Sequence, residues 1–212
     1  MLLSLDMSTK KTGFCVWDNC QIIKFGLIEP NIKFESDNKD KVLYARIKFL
    51  YNELKNIIEE YKITECVFED VPVGYNQNLD VGKWLCIIHG MLIALCYRYN
   101  INFVNYHPTE WRKNCGLLIS QYTCNKCGTK FLDNSADKDV ICPNCKNDKK
   151  STFSKIQQND RYTLKERAVN EVNKLFELNL VYKNKTSKLN EDDIAEAILI
   201  GMSYLKSKKG SD

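Results

Sequence analysis

No uninterrupted apolar run in the sequence is long enough to cross a bilayer. The stretch from Ile87 to Tyr97 is about half of the ~20 residues a spanning helix needs and carries His89. A secretory leader is not expected either, because Asp6 and Lys10-Lys11 interrupt the apolar start too early. Apolar residues make up 44% and charged residues 27%, which excludes the composition of a disordered chain. A large excess of one sign of charge is also lacking. The formal net charge is +4, too small by itself to mark a nucleic-acid binder. Positive charge is instead local, at Lys10-Lys11, Arg112-Lys113, Lys149-Lys150, Lys183 to Lys188 and Lys206 to Lys209. For each cluster, ordinary solvated surface is the competing reading. The 212 residues can bury a real core and predict one domain with a small insertion.

Cysteine, by contrast, is abundant, at 10 residues. Six of them (Cys15, Cys20, Cys66, Cys86, Cys96 and Cys115) are scattered, mostly in apolar segments, as expected of free thiols in a reducing, cytoplasmic setting. The other four form two Cys-x2-Cys pairs, Cys124/Cys127 and Cys142/Cys145, separated by fourteen residues. Two such knuckles place four thiolates at the corners of a tetrahedron, the arrangement Zn2+ accepts without geometric penalty. Gly128 after the first pair supplies a tight backbone turn. A polar segment with few apolar residues is expected to fold only around the metal. Because all four ligands are protein side chains, one closed, structural Zn2+ is expected, and the neighbouring lysines point to substrate contact.

The periodicity of the chain predicts an α/β layer architecture with a mixed central sheet. Residues 1–29 read as three strands, with a hairpin turn at Asp18-Asn19. Leu43, Ile47, Leu50, Leu54 and Ile57/Ile58 recur at helical spacing within 40–61. Glu65 to Glu69 reads as a strand, and Leu79 to Tyr99 as a buried helix, apolar nearly all round and carrying Trp84 and His89 in the core. Ile101 to Val104 reads as a strand, and Pro108 starts a short helix. The polar stretch 118–158 breaks the rhythm. Helical spacing resumes at Arg161 and again over about 190–205, followed by a frayed tail from Lys206. Expected boundaries are therefore a core of 1–117 and 159–212 interrupted by an insertion of 118–158.

Four acids stand out against this frame. Asp6 and Glu69 each end an apolar strand, where a charge is costly without a partner, and a metal ion is the usual one. Turn capping is the plainer reading of such an Asp. Asp193 and Glu196 lie at i, i+3 at the start of an apolar helix and share a face. Asp192, at i−4 to Glu196, competes with Asp193, and the helix dipole alone favours acids in a first turn.

Taken in order, Leu5-Asp6-Met7-Ser8-Thr9-Lys10-Lys11-Thr12-Gly13, Phe68-Glu69-Asp70, Tyr106-His107-Pro108-Thr109-Glu110-Trp111-Arg112-Lys113 and Asp193-Ile194-Ala195-Glu196-Ala197 resemble the RuvC family of Holliday junction resolvases, within the RNase H-like superfamily. The resemblance covers the order of elements along nearly the whole chain except the cysteine insertion. It implies an RNase H-like five-stranded mixed sheet flanked by helices. It also implies a catalytic site of Asp6, Glu69, Asp193 and Glu196 holding two Mg2+ or Mn2+ ions, typically ~3.5–4 Å apart. The implied reaction is two-metal hydrolysis of four-way junctions, forks and flaps, leaving 5′ phosphates. A homodimer built partly on the apolar helix is implied as well, working in the cytoplasm, a host's if the source is viral.

Two features depart from the family. Glu196 stands where Asp is common, and the insertion is absent from typical bacterial resolvases, although phage-type and transposon-associated relatives place zinc ribbons ahead of the last acidic helix. Lys10, Lys11, Arg112 and Lys113 are the expected DNA-backbone contacts. Tyr75 is an expected base-stacking residue, and His107 a weaker phosphate contact. Three other readings stay open. One is a phosphotransferase of the actin and sugar-kinase superfold, suggested by Asp6-x-Ser8-Thr9 with Gly13 but lacking a second phosphate loop. The others are a branched-DNA-binding protein without cleavage, and an RNase H-like nuclease acting on flaps, forks or RNA–DNA hybrids.

Overall fold

Strand β1 (Leu2–Asp6) forms the middle of the sheet and sets its two faces. Antiparallel to it runs β2 (Thr12–Asp18), and β3 (Gln21–Ile28) follows through a turn. Asp18 pairs with Gln21, so Asn19 and Cys20 are the two turn residues, one position later than the sequence suggests, and Asn19 takes the left-handed conformation (φ 53°). On the other side lie β4 (Glu65–Glu69) and β5 (Asn102–Tyr106), both parallel to β1, giving the order β3-β2-β1-β4-β5. This computed structural model describes residues 1–30, 39–71, 79–133, 140–148, 153–157 and 161–209.

Period-2 alternation sorts the strands onto two cores. Leu3, Leu5, Phe14, Val16, Cys66 and Phe68 face α1 (Lys39–Tyr61) and α2 (Leu79–Arg98). Leu2, Cys15, Trp17 and Val67 face α3 (Pro108–Asn114), α4 (Arg161–Phe176) and α5 (Asp192–Lys209). Both faces are covered, which explains why β1 and β2 read as nearly continuous apolar runs. The exception, Ser4, is fully buried and accepts a hydrogen bond from Trp17 Nε1 at 2.9 Å.

Two expectations need correction. The second helix is not buried all round. Ile88, His89, Leu92, Leu95 and Cys96 are buried, but Ile87 and Tyr97 are exposed, because α2 lies beside α1 over one sheet face with its outer side uncovered. The C-terminal tail is not frayed from Lys206, since α5 runs on to Lys209. Its last turn is fastened by Lys208 and the Tyr204 hydroxyl, both of which bind Glu65. The basic residues of that turn also suit the negative helix end.

The cysteine segment forms its own antiparallel sheet in the order β7-β6-β8, from β6 (Ser120–Cys124), β7 (Lys130–Asp133) and β8 (Phe153–Gln157). It is less apolar-poor than expected. Tyr122, Phe131 and Phe153 pack ring to ring with centroids 5.8–6.2 Å apart, a small hydrophobic nucleus beside the thiols. Among the described residues, no helix is long and apolar enough to cross a membrane.

Candidate metal and nucleic-acid site

Asp6 and Glu69 end neighbouring parallel strands, just past the Leu5–Phe68 pair. Their side chains emerge at the carboxyl edge of the sheet, where open α/β sheets bind ligands. The third acidic element arrives from α5. Gly13 on β2 pairs with Asp6, and a Cβ on it would lie 1.8 Å from the Asp193 carbonyl oxygen. Only glycine lets the helix start come so near the sheet, and this close approach brings Asp193 to Asp6. Carboxylate oxygens of Asp6, Asp193 and Glu196 lie within 4.8 Å of one another.

Glu69 joins the cluster through a shared cation. One guanidinium nitrogen of Arg112 is 3.3 Å from Glu69 Oε2 and 3.0 Å from Glu196 Oε1. The Trp111 indole N–H donates to the same Glu69 oxygen at 2.7 Å, and the Arg112 guanidinium lies over the Trp111 ring. On the opposite side, Lys165 from α4 contacts Asp192, Asp193 (3.3 Å) and Glu196 (3.8 Å). Within this cluster, among the described residues, five carboxylates therefore face two cations, Arg112 and Lys165.

The electrostatics record that excess. Burial, then the charges of Glu196, Asp193 and Glu69, hold Asp6 well above the usual carboxylate range. Burial also raises Glu69 and Asp193, against the opposing pull of Arg112 and Lys165 respectively. Burial works against the Lys165 charge, yet Glu196, Asp193 and Asp192 raise its pKa above the ordinary lysine value. A recessed set of hard oxygen donors carrying uncompensated negative charge fits divalent cations such as Mg2+ or Mn2+.

A second cluster lies in the small sheet. Cys124, Cys127, Cys142 and Cys145 bring their sulfurs within 4.8 Å of one another. Cys124–Cys145 and Cys127–Cys142 are 3.7 and 3.6 Å apart. A tetrahedron with metal–sulfur arms of ~2.3 Å has edges of about 3.8 Å, whereas a disulfide would need about 2.0 Å. The two knuckles are built alike: Gly128 N donates to the Cys124 carbonyl and Lys146 N to the Cys142 carbonyl. Both residues take a positive φ, 74° at Gly128 and 56° at Lys146, so the second turn is made without glycine. The Thr129 hydroxyl, followed by the Thr129 backbone, pulls the Cys127 thiol down to about 6, toward the thiolate that a metal binds.

The remaining expected residues fall in several places. Asp192 is buried against Lys165, while Asp193 is the one grouped with Asp6 and Glu196. Arg112 turns inward to the carboxylates, and Lys113, next to it, is exposed. Lys10 is exposed near the first strand turn, and Lys11 Nζ donates to the Lys188 carbonyl at 2.9 Å. His107 caps α3, its ring accepting from Thr109 N. Tyr75 and Lys149-Lys150 lie outside the described residues.

Sequence reading missed Lys165 and the role of Trp111 as a donor to Glu69. A signal for Lys165 existed: it stands at i to the buried Val169 (i+4) and Val172 (i+7), a lysine inside the apolar stripe of its helix. Nothing in the spacing ties Trp111 to Glu69, which is 42 positions away.

Fold and site together define an RNase H-like α/β fold with a carboxylate cluster at the sheet edge. The comparisons agree. The chain aligns end to end with Thermus thermophilus RuvC in complex with a Holliday junction substrate (TM-score 0.58, 10% identity, 99% of this chain and 95% of that one). It aligns likewise with the yeast mitochondrial Holliday junction resolvase Ydc2 (TM-score 0.53, 12% identity, 98% and 80%). In sequence it is RuvC-like. It is 35% identical over 69 residues to the crossover junction endodeoxyribonuclease RuvC of Chloroherpeton thalassium (32% of this chain). With that of Finegoldia magna it is 24% identical over 113 residues (51% of this chain). These alignments span 36% and 63% of the two relatives' lengths. No protein-family profile matches the chain.

Proposed function

We propose that this protein is a structure-selective DNA endonuclease that resolves four-way junctions and related branched DNA by metal-dependent phosphodiester hydrolysis, leaving 5′ phosphates. The observation that carries the reading is the convergence of Asp6, Asp193 and Glu196 within 4.8 Å, with Glu69 one guanidinium away, at the carboxyl edge of a RuvC-like sheet. Asp6, Glu69, Asp193 and Glu196 would hold two Mg2+ or Mn2+ ions. Bound there, the ions would supply the positive charge that polarises the scissile phosphate and makes water a better nucleophile near neutral pH.

The chain's own residues have separable parts in this proposal. Trp111 fixes the Glu69 carboxylate by a 2.7 Å hydrogen bond to the oxygen that Arg112 also binds. Arg112 and Lys165 offset the charge of the acids and would offer cations to phosphate oxygens beside them. Lys10 and Lys113, both exposed, suit contacts to the DNA backbone, and Tyr75 is proposed for base stacking.

One Zn2+ in the four-cysteine cluster would hold an insertion spanning 118–158 within a nuclease core of 1–117 and 159–212. The uncovered apolar side of α2, with Ile87 and Tyr97 exposed, supports a homodimer.

The test is to incubate labelled four-way junctions, forks, flaps, RNA–DNA hybrids and plain duplex with the protein and Mg2+ or Mn2+. Paired symmetric nicks in junctions, absent in Asp6→Asn, are expected. Tight binding with no cleavage in either metal would make the protein a branch binder, and cleavage of flaps or hybrids alone would move the substrate.

A further inference from the structure

The loop between α4 and α5 walls a cleft of about 360 Å³ that opens directly beside Asp193. That volume lies at the small end of ligand pockets, ~300–1,000 Å³, and suits one backbone unit of a nucleic acid rather than a helix or a protein element. Its lining holds four lysines, Lys11, Lys165, Lys185 and Lys188, against two acids, Asp192 and Asp193. The loop is built to keep this shape. Glu191 is joined to Val181 twice, backbone to backbone at 2.9 Å and through its carboxylate at 2.8 Å. Lys183 N donates to Asn190 Oδ1 (3.0 Å), Asn190 Nδ2 to the Asn184 carbonyl (2.7 Å), and Thr186 N to Asn184 Oδ1 (3.0 Å).

Lys11 completes the arrangement. Its ammonium donates to the Lys188 carbonyl and lies 3.8 Å from Glu29. It therefore ties the loop to the turn after β1, beside the cleft that Lys185 and Lys188 line. A side-chain-braced loop orders its lysines in advance, so a ligand has less entropy to lose on binding them. A cleft lined by more cations than acids, and sharing Asp193 with the carboxylate cluster, suits a polyanion with one phosphate near the acids and a neighbour against the lysines.

We propose that this cleft is a phosphate subsite: Lys185 and Lys188 bind the nucleic-acid backbone at a phosphate adjacent to the one that is cleaved, and so set the position of the scissile bond. The inference rests on the endonuclease reading above.

The experiment combines Lys185→Gln/Lys188→Gln in the full chain with junctions carrying a single neutral methylphosphonate at each position around the cleavage point. Affinity is measured in an Asp6→Asn background, and thermal melts establish that the exposed double variant is folded. The expected result has two parts. The slope of log affinity against log salt falls by about 1 for each lysine removed. The affinity penalty that one methylphosphonate next to the cleaved position imposes on the intact loop disappears in the double variant. An unchanged salt slope, or a methylphosphonate pattern identical in both proteins, overturns the subsite while leaving the endonuclease reading intact. If the protein with its natural loop neither binds nor cuts any branched DNA, both readings fall together.

Discussion

At the scale of single residues, the electrostatic tension of the carboxylate cluster is concentrated at Asp6. Burial and three neighbouring acids raise its pKa above the ordinary 3.8. For an acid raised in the folded state, the native chain holds more protons than the unfolded one between the two pKa values. Stability without metal therefore falls as pH rises above about 3.8, through the folded pKa. Asp6→Asn removes this charge. Its melting temperature in chelator should exceed that of the unaltered protein by ~2 °C or more at pH 7, with the gap closing toward pH 4. Added Mg2+ should raise the melting temperature of the unaltered protein and leave Asp6→Asn nearly unmoved, while junction cleavage is lost in the variant. A variant less stable at pH 7 in chelator would contradict the crowded-acid picture.

The two knuckles offer a second comparison at this scale. Gly128 and Lys146 occupy equivalent positive-φ turns. Gly128→Ala should cost ~1 kcal/mol, whereas Lys146→Gly should be neutral or stabilising by a similar amount, as read from denaturant midpoints at saturating zinc.

At the scale of elements, α5 is the piece on which the site depends. It supplies Asp192, Asp193 and Glu196 at one end and is fastened through Lys208 and Tyr204 to Glu65 at the other. Its entry over β2 depends on Gly13, where an added Cβ meets the Asp193 carbonyl at 1.8 Å. In Gly13→Ala the first turn of α5 has to move outward, because backbone rather than a flexible side chain blocks the methyl. The expected outcome is ~1–3 kcal/mol of lost stability together with a fall in cleavage rate of ~100-fold, since a displacement of about 1 Å of a catalytic group has that order of effect. Measuring both in one preparation separates the two: full cleavage at reduced stability would show that the acids do not depend on this approach. The short helix α3 makes the same point from another direction. It buries Trp111 and delivers Arg112 to Glu69 and Glu196 with two adjacent residues.

At the scale of the whole molecule, the described residues form two sheets, and the small one is organised around thiols. The five-stranded sheet has extensive apolar cores on both faces, while the ribbon has three packed aromatic rings and four clustered cysteines. Zinc removal should therefore act unevenly. Elemental analysis of the purified protein should find one Zn2+ per chain. Strong chelation, or Cys127→Ser with Cys142→Ser, should expose the Tyr122–Phe131–Phe153 nucleus to proteolysis while the main sheet keeps its cooperative melt. Loss of the entire fold on chelation would show that the ribbon is structurally continuous with the core.

The sequence by itself determined most of the elements. Their periodicities are local properties: alternation in β1 and β2, a 3.6-residue stripe in α1 and α4, and four cysteines whose spacing already describes a tetrahedral site. It also marked Asp6 and Glu69, because a charge ending an apolar strand conflicts with its surroundings wherever it occurs. What only the tertiary structure decided was the pairing between distant segments. Asp193 rather than Asp192 is grouped with Asp6 and Glu196, because α5 crosses β2 at Gly13. Lys165 and Arg112 sit among the acids, and the α4–α5 loop folds its lysines beside them, through contacts that neither periodicity nor spacing encodes. The exposed side of α2 belongs with these, since apolar composition tells which residues prefer burial but not which neighbour is present to bury them.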